Sequence, residues 1–282
     1  MQKVAIVTDS TSYIPKENLE QYLIRVAPQV LIWGEQTYED GGDISPSEFY
    51  TRLKTAKTMP STSQATPGTF DKIFAALLEQ DYQVLAILLS EKLSGTIASA
   101  IQARENYPGA PIEIIDSYTT AMAMGYQVLS VARAASEGAS LAECKSLAEK
   151  ARQHTGVVFA VDTLEFLHRG GRIGSASRFL GTALNIKPIL EVVDGRVEAV
   201  ERVRTRQKSL DRLLELAQER MAGRQPVRLA TLHANAPVEA QALLEMGKQR
   251  FNTVEHIFSE VSPVVGTHTG PGTVGLAFMA GM

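Results

Sequence analysis

The side chains best placed to do chemistry in this chain are hydroxyls, gathered in three short loops. These are Thr8-Asp9-Ser10-Thr11-Ser12, Ser61-Thr62-Ser63-Gln64 and Leu93-Ser94-Gly95-Thr96, each following a strand-like run or opening a helix-like one. Hydroxyls beside the free N–H groups of a helix start form a natural site for a carboxylate or a phosphate. Any one loop reads first as helix capping, a role Ser and Thr fill throughout proteins. Together on one sheet edge they favour a bound anion. Other chemistries fit less well. Ser94 stands in Leu-Ser-Gly-Thr and not in a G-x-S-x-G elbow. No G-x-G-x-x-G follows the first strand. His154, His168, His233, His256 and His268 show no H-E-x-x-H spacing, and no metal site is expected. Asp9 and Asp116 read as acceptors that fix their loops rather than as catalytic carboxylates.

The elements that must position these loops alternate through the first half. Apolar, β-branched runs at 4–7, 30–33, 84–89 and 112–115 read as strands. Ser45-Pro-Ser-Glu48 is a capping box that predicts a helix over about 46–56. Thr66-Pro67 opens another, with Phe70, Ile73, Phe74, Leu77 and Leu78 on one face. Ser140 to Glu143 is a second capping box, for a helix to about 153. This predicts an α/β fold whose N-terminal domain, 1–155, has three layers (α/β/α) and a mostly parallel sheet. Ligands of such sheets sit at the carboxyl ends of the strands. Beyond Thr155 the reading is a strand at 157–161, the segment Arg169-Gly-Gly-Arg-Ile-Gly174 and a helix through 184. A β-hairpin follows at 187–203, turned by Asp194-Gly195, and then a helix capped by Thr205. Strands at 227–232 and 254–258 flank a helix opened by Pro237. This predicts a second, mixed-sheet α/β domain over 156–282.

Composition narrows the class. With 44% hydrophobic and 21% charged residues the chain is an ordinary globular protein. A net charge of −3 gives no basic field to hold nucleic acid or anionic lipid non-specifically. The single cysteine, Cys144, excludes an internal disulfide and fits a reducing compartment. No window approaches the roughly 18–20 continuous apolar residues of a spanning helix. The first apolar run is too short for a signal peptide, so a cytoplasmic protein is expected.

Taken in order, the motifs resemble the DegV family. The resemblance is carried by the three hydroxyl loops and by Leu164-Glu-Phe-Leu-His-Arg-Gly-Gly-Arg-Ile173. Lys187-Pro-Ile-Leu190, Arg202-Val-Arg-Thr205 and Gly266-Thr-His-Thr-Gly-Pro-Gly272 extend it over essentially the whole chain. The family is similar to the fatty-acid-binding subunit of bacterial fatty acid kinase. The resemblance implies a carrier, with no catalytic residue and no cofactor of its own. Its ligand would be a long-chain fatty acid such as palmitate, presented to a separate ATP-dependent kinase subunit that makes the acyl phosphate. By position, Thr62 and Ser94 match the hydroxyls that hold the carboxylate, His268 lines the same headgroup site, and Arg204 lies in the matching basic strand end. Arg172 matches an exposed contact for the kinase. One departure is Tyr13, where the family often has an acidic residue. Phe70, Phe74, Met122, Met124 and Phe278 are candidates to line the acyl tail, most of them equally at home in a core. The alternative is a small-molecule hydrolase or transferase using Ser94 or His268.

Overall fold

The computed structural model describes residues 3–181 and 186–282. It begins with β1 (Val4–Asp9), α1 (Lys16–Gln21), β2 (Arg25–Ala27), β3 (Val30–Trp33), β4 (Gln36–Glu39), α2 (Pro46–Leu53) and β5 (Ser61–Ser63). Next come α3 (Pro67–Leu78), β6 (Gln83–Leu88), α4 (Thr96–Arg104), β7 (Ile112–Asp116), α5 (Ala121–Ser136) and α6 (Leu141–Ala151). A parallel sheet runs in the order β2-β1-β6-β7. Its inner strands are apolar on both sides because both are covered. Val7, Val84, Ala86 and Leu88 meet Phe70 and Phe74 of α3 and Ile97 of α4. Ile6, Leu85 and Ile87 face the opposite core, with α5. Helix starts follow their caps. Ser45 accepts from the Glu48 N–H, Thr66 from that of Thr69, and Ser140 with Glu143 makes a reciprocal capping box. A small antiparallel sheet, β4-β3-β5, was anticipated only in β3.

The chain continues with β8 (Thr155–Ala160), α7 (Glu165–Arg169), β9 (Lys187–Val193), β10 (Arg196–Val203), α8 (Arg206–Met221) and β11 (Val227–His233). It closes with α9 (Pro237–Phe251), β12 (Glu255–Glu260), α10 (Pro263–Thr269) and β13 (Val274–Ala280). These strands form one mixed sheet, β10-β9-β8-β13-β11-β12, in which only β11 and β12 are parallel neighbours. Asp194 and Gly195 both have positive φ, 47° and 79°, as a type I′ turn requires. The helix expected through 184 is instead a 3-10 segment, Gly174–Phe179. That segment is tied to β10: Ser175 Oγ accepts from the Ala199 N–H at 2.9 Å and Arg178 donates to the Ala199 carbonyl. The part of that expectation at 182–185 lies outside the described residues.

Helix α5 joins the two sheets. It packs against β1 and β6 of the first and β8, β11 and β13 of the second. Eleven of its residues, from Ala121 to Ala132, are buried, as expected of a helix covered all round. We keep the division near 155 as a proposal, because every strand of the mixed sheet follows it. One apolar core nonetheless runs from Ile6 and Leu85 through Met122 and Tyr126 to Leu232 and Ala277. No helix among the described residues is long and apolar enough to cross a membrane.

Candidate functional site

The strand order of the parallel sheet reverses between β1 and β6, and the loops at their carboxyl ends diverge there. Asp9 holds these loops together. Its carboxylate accepts from Thr11 N and Oγ1 at 3.0 and 2.7 Å and from Leu89 N at 2.8 Å. Burial pushes the Asp9 carboxyl up, while those donors pull it back. Asp116 holds its own turn in the same way, accepting from Tyr118 N at 2.7 Å and Glu91 N at 3.3 Å.

Above these loops lies a cavity of about 990 Å³, measured to its open mouth. The second sheet supplies much of the apolar wall. Val157 and Phe159 alternate along β8 to face inward, and Val192 and Val197 are paired across the hairpin. Leu232 of β11 and Val264 of α10 complete that side. The polar wall gathers Thr62 of β5, Ser94 beside the start of α4, His268 of α10, and Arg172.

Thr62 Oγ1 lies 2.8 Å from His268 Nε2. The other ring nitrogen, Nδ1, is buried without a hydrogen-bond partner and faces Gly170. A proton placed there would be an orphaned donor, so we assign it to Nε2, which donates to Thr62 Oγ1. The Thr62 hydroxyl hydrogen is then free for a ligand. Burial, and next the positive charge of Arg172, push the His268 imidazole down to about 4, so it is neutral at pH 7. Ser94 Oγ lies 2.9 Å from Thr96 Oγ1. His268 is therefore bonded to Thr62 and not to Ser94. A base poised on the serine, which a nucleophilic mechanism requires, is not assembled in this geometry.

The glycine pair before Arg172 has two separate causes. Gly171, at φ +69°, is the left-handed residue of a Schellman motif that closes α7. Its N–H bonds the His168 carbonyl and the Arg172 N–H bonds that of Leu167, at 3.1 and 3.0 Å. Gly170 is an ordinary αR residue, but a Cβ there would lie 2.1 Å from His268 Nδ1. Arg172 then turns inward. Its Nε donates to the Leu93 carbonyl at 3.0 Å and its NH1 to that of Gly170 at 2.6 Å.

A family model described as "Uncharacterised protein, DegV family" matches residues 3–281. The chain belongs to the DegV family. A DegV domain-containing protein of Streptomyces coelicolor is 38% identical over 275 residues, covering 97% of each chain. Among solved structures, a DegV family protein from Thermus thermophilus, described as binding fatty acid, superposes with a TM-score of 0.93 at 34% identity. That match covers 99% of this chain and 100% of the other. A stearic-acid-binding protein from Eubacterium ventriosum superposes with a TM-score of 0.91 at 25% identity, over 100% and 99% of the two chains.

Within this DegV fold, Thr62, Ser94 and His268 converge on one cavity, as does Arg172. Two expectations need correction. Arg204 is exposed, in the link between β10 and the cap of α8, and is absent from the cavity wall. Arg172 is not a projecting surface residue but half-buried, because the Schellman turn aims it inward. The aromatic and methionine candidates for the tail lie elsewhere too. Phe70 and Phe74 pack under α3, Met122 and Met124 belong to the α5 core, and Phe278 to the core beneath α8 and α9. Tyr13 does border the cavity. The reading from sequence passed over Gln29 and the valines of β8–β10.

The neutral His268 has a pH signature. Between about pH 6.5 and 4 an unfolded chain takes up a proton that the folded ring refuses. Stability from this group is thus complete above that window and lost as pH falls through it. Allowing for partial exposure, the loss should be on the order of 1–2 kcal/mol. Thermal denaturation of ligand-free wild type and His268→Gln at pH 7 and 4.5 should show their stabilities drawing together by that amount. An unchanged gap would mean that His268 takes up its proton as readily in the folded chain as in the unfolded one.

Proposed function

We propose that this protein is a fatty-acid carrier that buries the acyl tail and presents the carboxylate at the cavity mouth to a separate ATP-dependent kinase. The observation that carries the reading is the division of one cavity into an apolar wall and a cluster of hydroxyls backed by His268 and Arg172. Relatives described as binding fatty acids support it. A carboxylate leaving water must regain its hydrogen bonds. The Thr62 and Ser94 hydroxyls supply donors, and the Arg172 guanidinium supplies a nearby positive charge. The tail provides most of the affinity: at about 0.8 kcal/mol per CH₂, some fifteen groups give on the order of 12 kcal/mol gross. Lost motion takes back a large share, leaving tight but reversible binding. Holding the product also makes chemical sense, because a free acyl phosphate hydrolyses in water.

Radiolabelled palmitate, ATP and Mg²⁺ test the division of labour. The chain alone should form no acyl phosphate, and adding the ATP-binding subunit of a bacterial fatty acid kinase should start its formation. Product made by the chain alone would make it an enzyme. No product with any such subunit, despite palmitate binding, would remove the kinase from the account.

A further inference from the structure

We propose that Gln29 is a positioning residue that fixes the hydrogen-bond polarity of Ser94, so that the site turns its O–H donors toward an anionic headgroup. The inference rests on the carrier reading above. Gln29 lies in the short link between β2 and β3 and is 2% exposed, so water cannot take over its hydrogen bonds. The Ala65 backbone N–H, which can only donate, points at Gln29 Oε1 from 3.1 Å. That contact fixes which end of the amide is oxygen. The NH₂ end is thereby turned to Thr96 and to the buried Asp9 carboxylate, and Nε2 donates to Thr96 Oγ1 at 3.0 Å.

Thr96 is fully buried and must place its own hydrogen. Two acceptors are in reach, Gln29 Oε1 at 3.2 Å and Ser94 Oγ at 2.9 Å. The first already accepts from Ala65 and belongs to the amide that is donating to Thr96. The second is shorter and leads out to the cavity. With Thr96 donating to Ser94 Oγ, the Ser94 hydroxyl hydrogen is left for the ligand. His268 does the same for Thr62 across the cavity. Two relays, one begun by an amide NH₂ and one by an imidazole N–H, each end in a free O–H. Those two donors suit the two oxygens of a carboxylate. A headgroup that only donates could still reach the second lone pair of each oxygen but would leave both O–H groups without an acceptor.

The test is a double-mutant cycle by calorimetric titration with palmitate and methyl palmitate. It uses wild type, Gln29→Met, Ser94→Ala and the double variant, with thermal denaturation of each. Gln29→Met should weaken palmitate binding about tenfold and the ester about twofold or less. The double variant should bind palmitate no more weakly than Ser94→Ala alone, because Gln29 acts through Ser94. Equal losses for the two ligands, or losses that add, would reduce Gln29 to a residue that merely holds its loops. If Gln29→Met fails to fold, Thr96→Val interrupts the same relay while keeping its shape, and the same outcomes apply. A wild type that binds neither ligand would overturn the carrier reading itself.

Discussion

Replacing Thr62 or Ser94 by alanine is expected to weaken palmitate binding by about 1.5–3 kcal/mol each, the worth of a charge-assisted hydrogen bond. In Kd that is roughly a 10- to 150-fold rise. Both side chains stand on the polar wall, and the apolar wall of Val157, Phe159, Val192 and Val197 is untouched by either change. The variants should therefore fold and retain residual affinity for lipid. Methyl palmitate has no carboxylate and should respond far less to the same substitutions. Titration of both variants with both ligands, beside an esterase assay on the wild type, separates holding from catalysis. Unchanged palmitate affinity in Ser94→Ala together with hydrolysis by the wild type would identify Ser94 as a nucleophile.

The second large effect is expected from a single methyl group. Gly170→Ala ought to be mildly stabilising on backbone grounds, since this C-cap residue has αR backbone that alanine adopts freely, a gain of about 0.4–1 kcal/mol. The structure predicts the opposite sign. The new Cβ would lie 2.1 Å from His268 Nδ1, so the ring has to swing away and the 2.8 Å contact with Thr62 is broken. Overpacking of this kind costs about 1–3 kcal/mol. Losing the donor behind Thr62 should raise the palmitate Kd by about tenfold or more. Thermal denaturation and palmitate titration of Gly170→Ala check both parts. A variant at least as stable as wild type and binding equally well would show that His268 does not sit against this glycine.

Much of the architecture could be read before the structure, and the exceptions have physical causes. The one-way cap at Ser45, the capping box at Ser140 and the Asp194-Gly195 turn are local devices whose geometry follows from three or four residues. Helix α5 escaped because its start carries no local signal: Thr120 makes no side-chain cap bond and no proline or acidic residue opens Ala121–Ser136. Strand β13 carries a single β-branched residue, Val274, beside a glycine and two alanines, so its composition does not mark a strand. Strand β5 is only three residues, Ser61–Ser63, and its partner β3 lies thirty residues away, so nothing local marks it as a strand.

The candidate site was legible where a residue type announced itself. Hydroxyls and histidine stood out, and Thr62, Ser94 and His268 do meet. The surroundings that set their behaviour were not legible. Whether Arg172 points in or out depends on the turn that precedes it, and Arg204 shows how little a basic residue near a strand end says about direction. Gln29 has no motif at all. Its importance comes from facing Ala65 and Thr96, residues brought to it only by the fold.

Mass spectrometry of a solvent extract from the protein, purified from a bacterial host, tests the central claim most directly. A carrier with an apolar cavity and a carboxylate site should leave the cell loaded, giving close to one long-chain fatty acid per chain. Extracts containing only traces of lipid, from protein that also fails to bind added palmitate, would contradict the account.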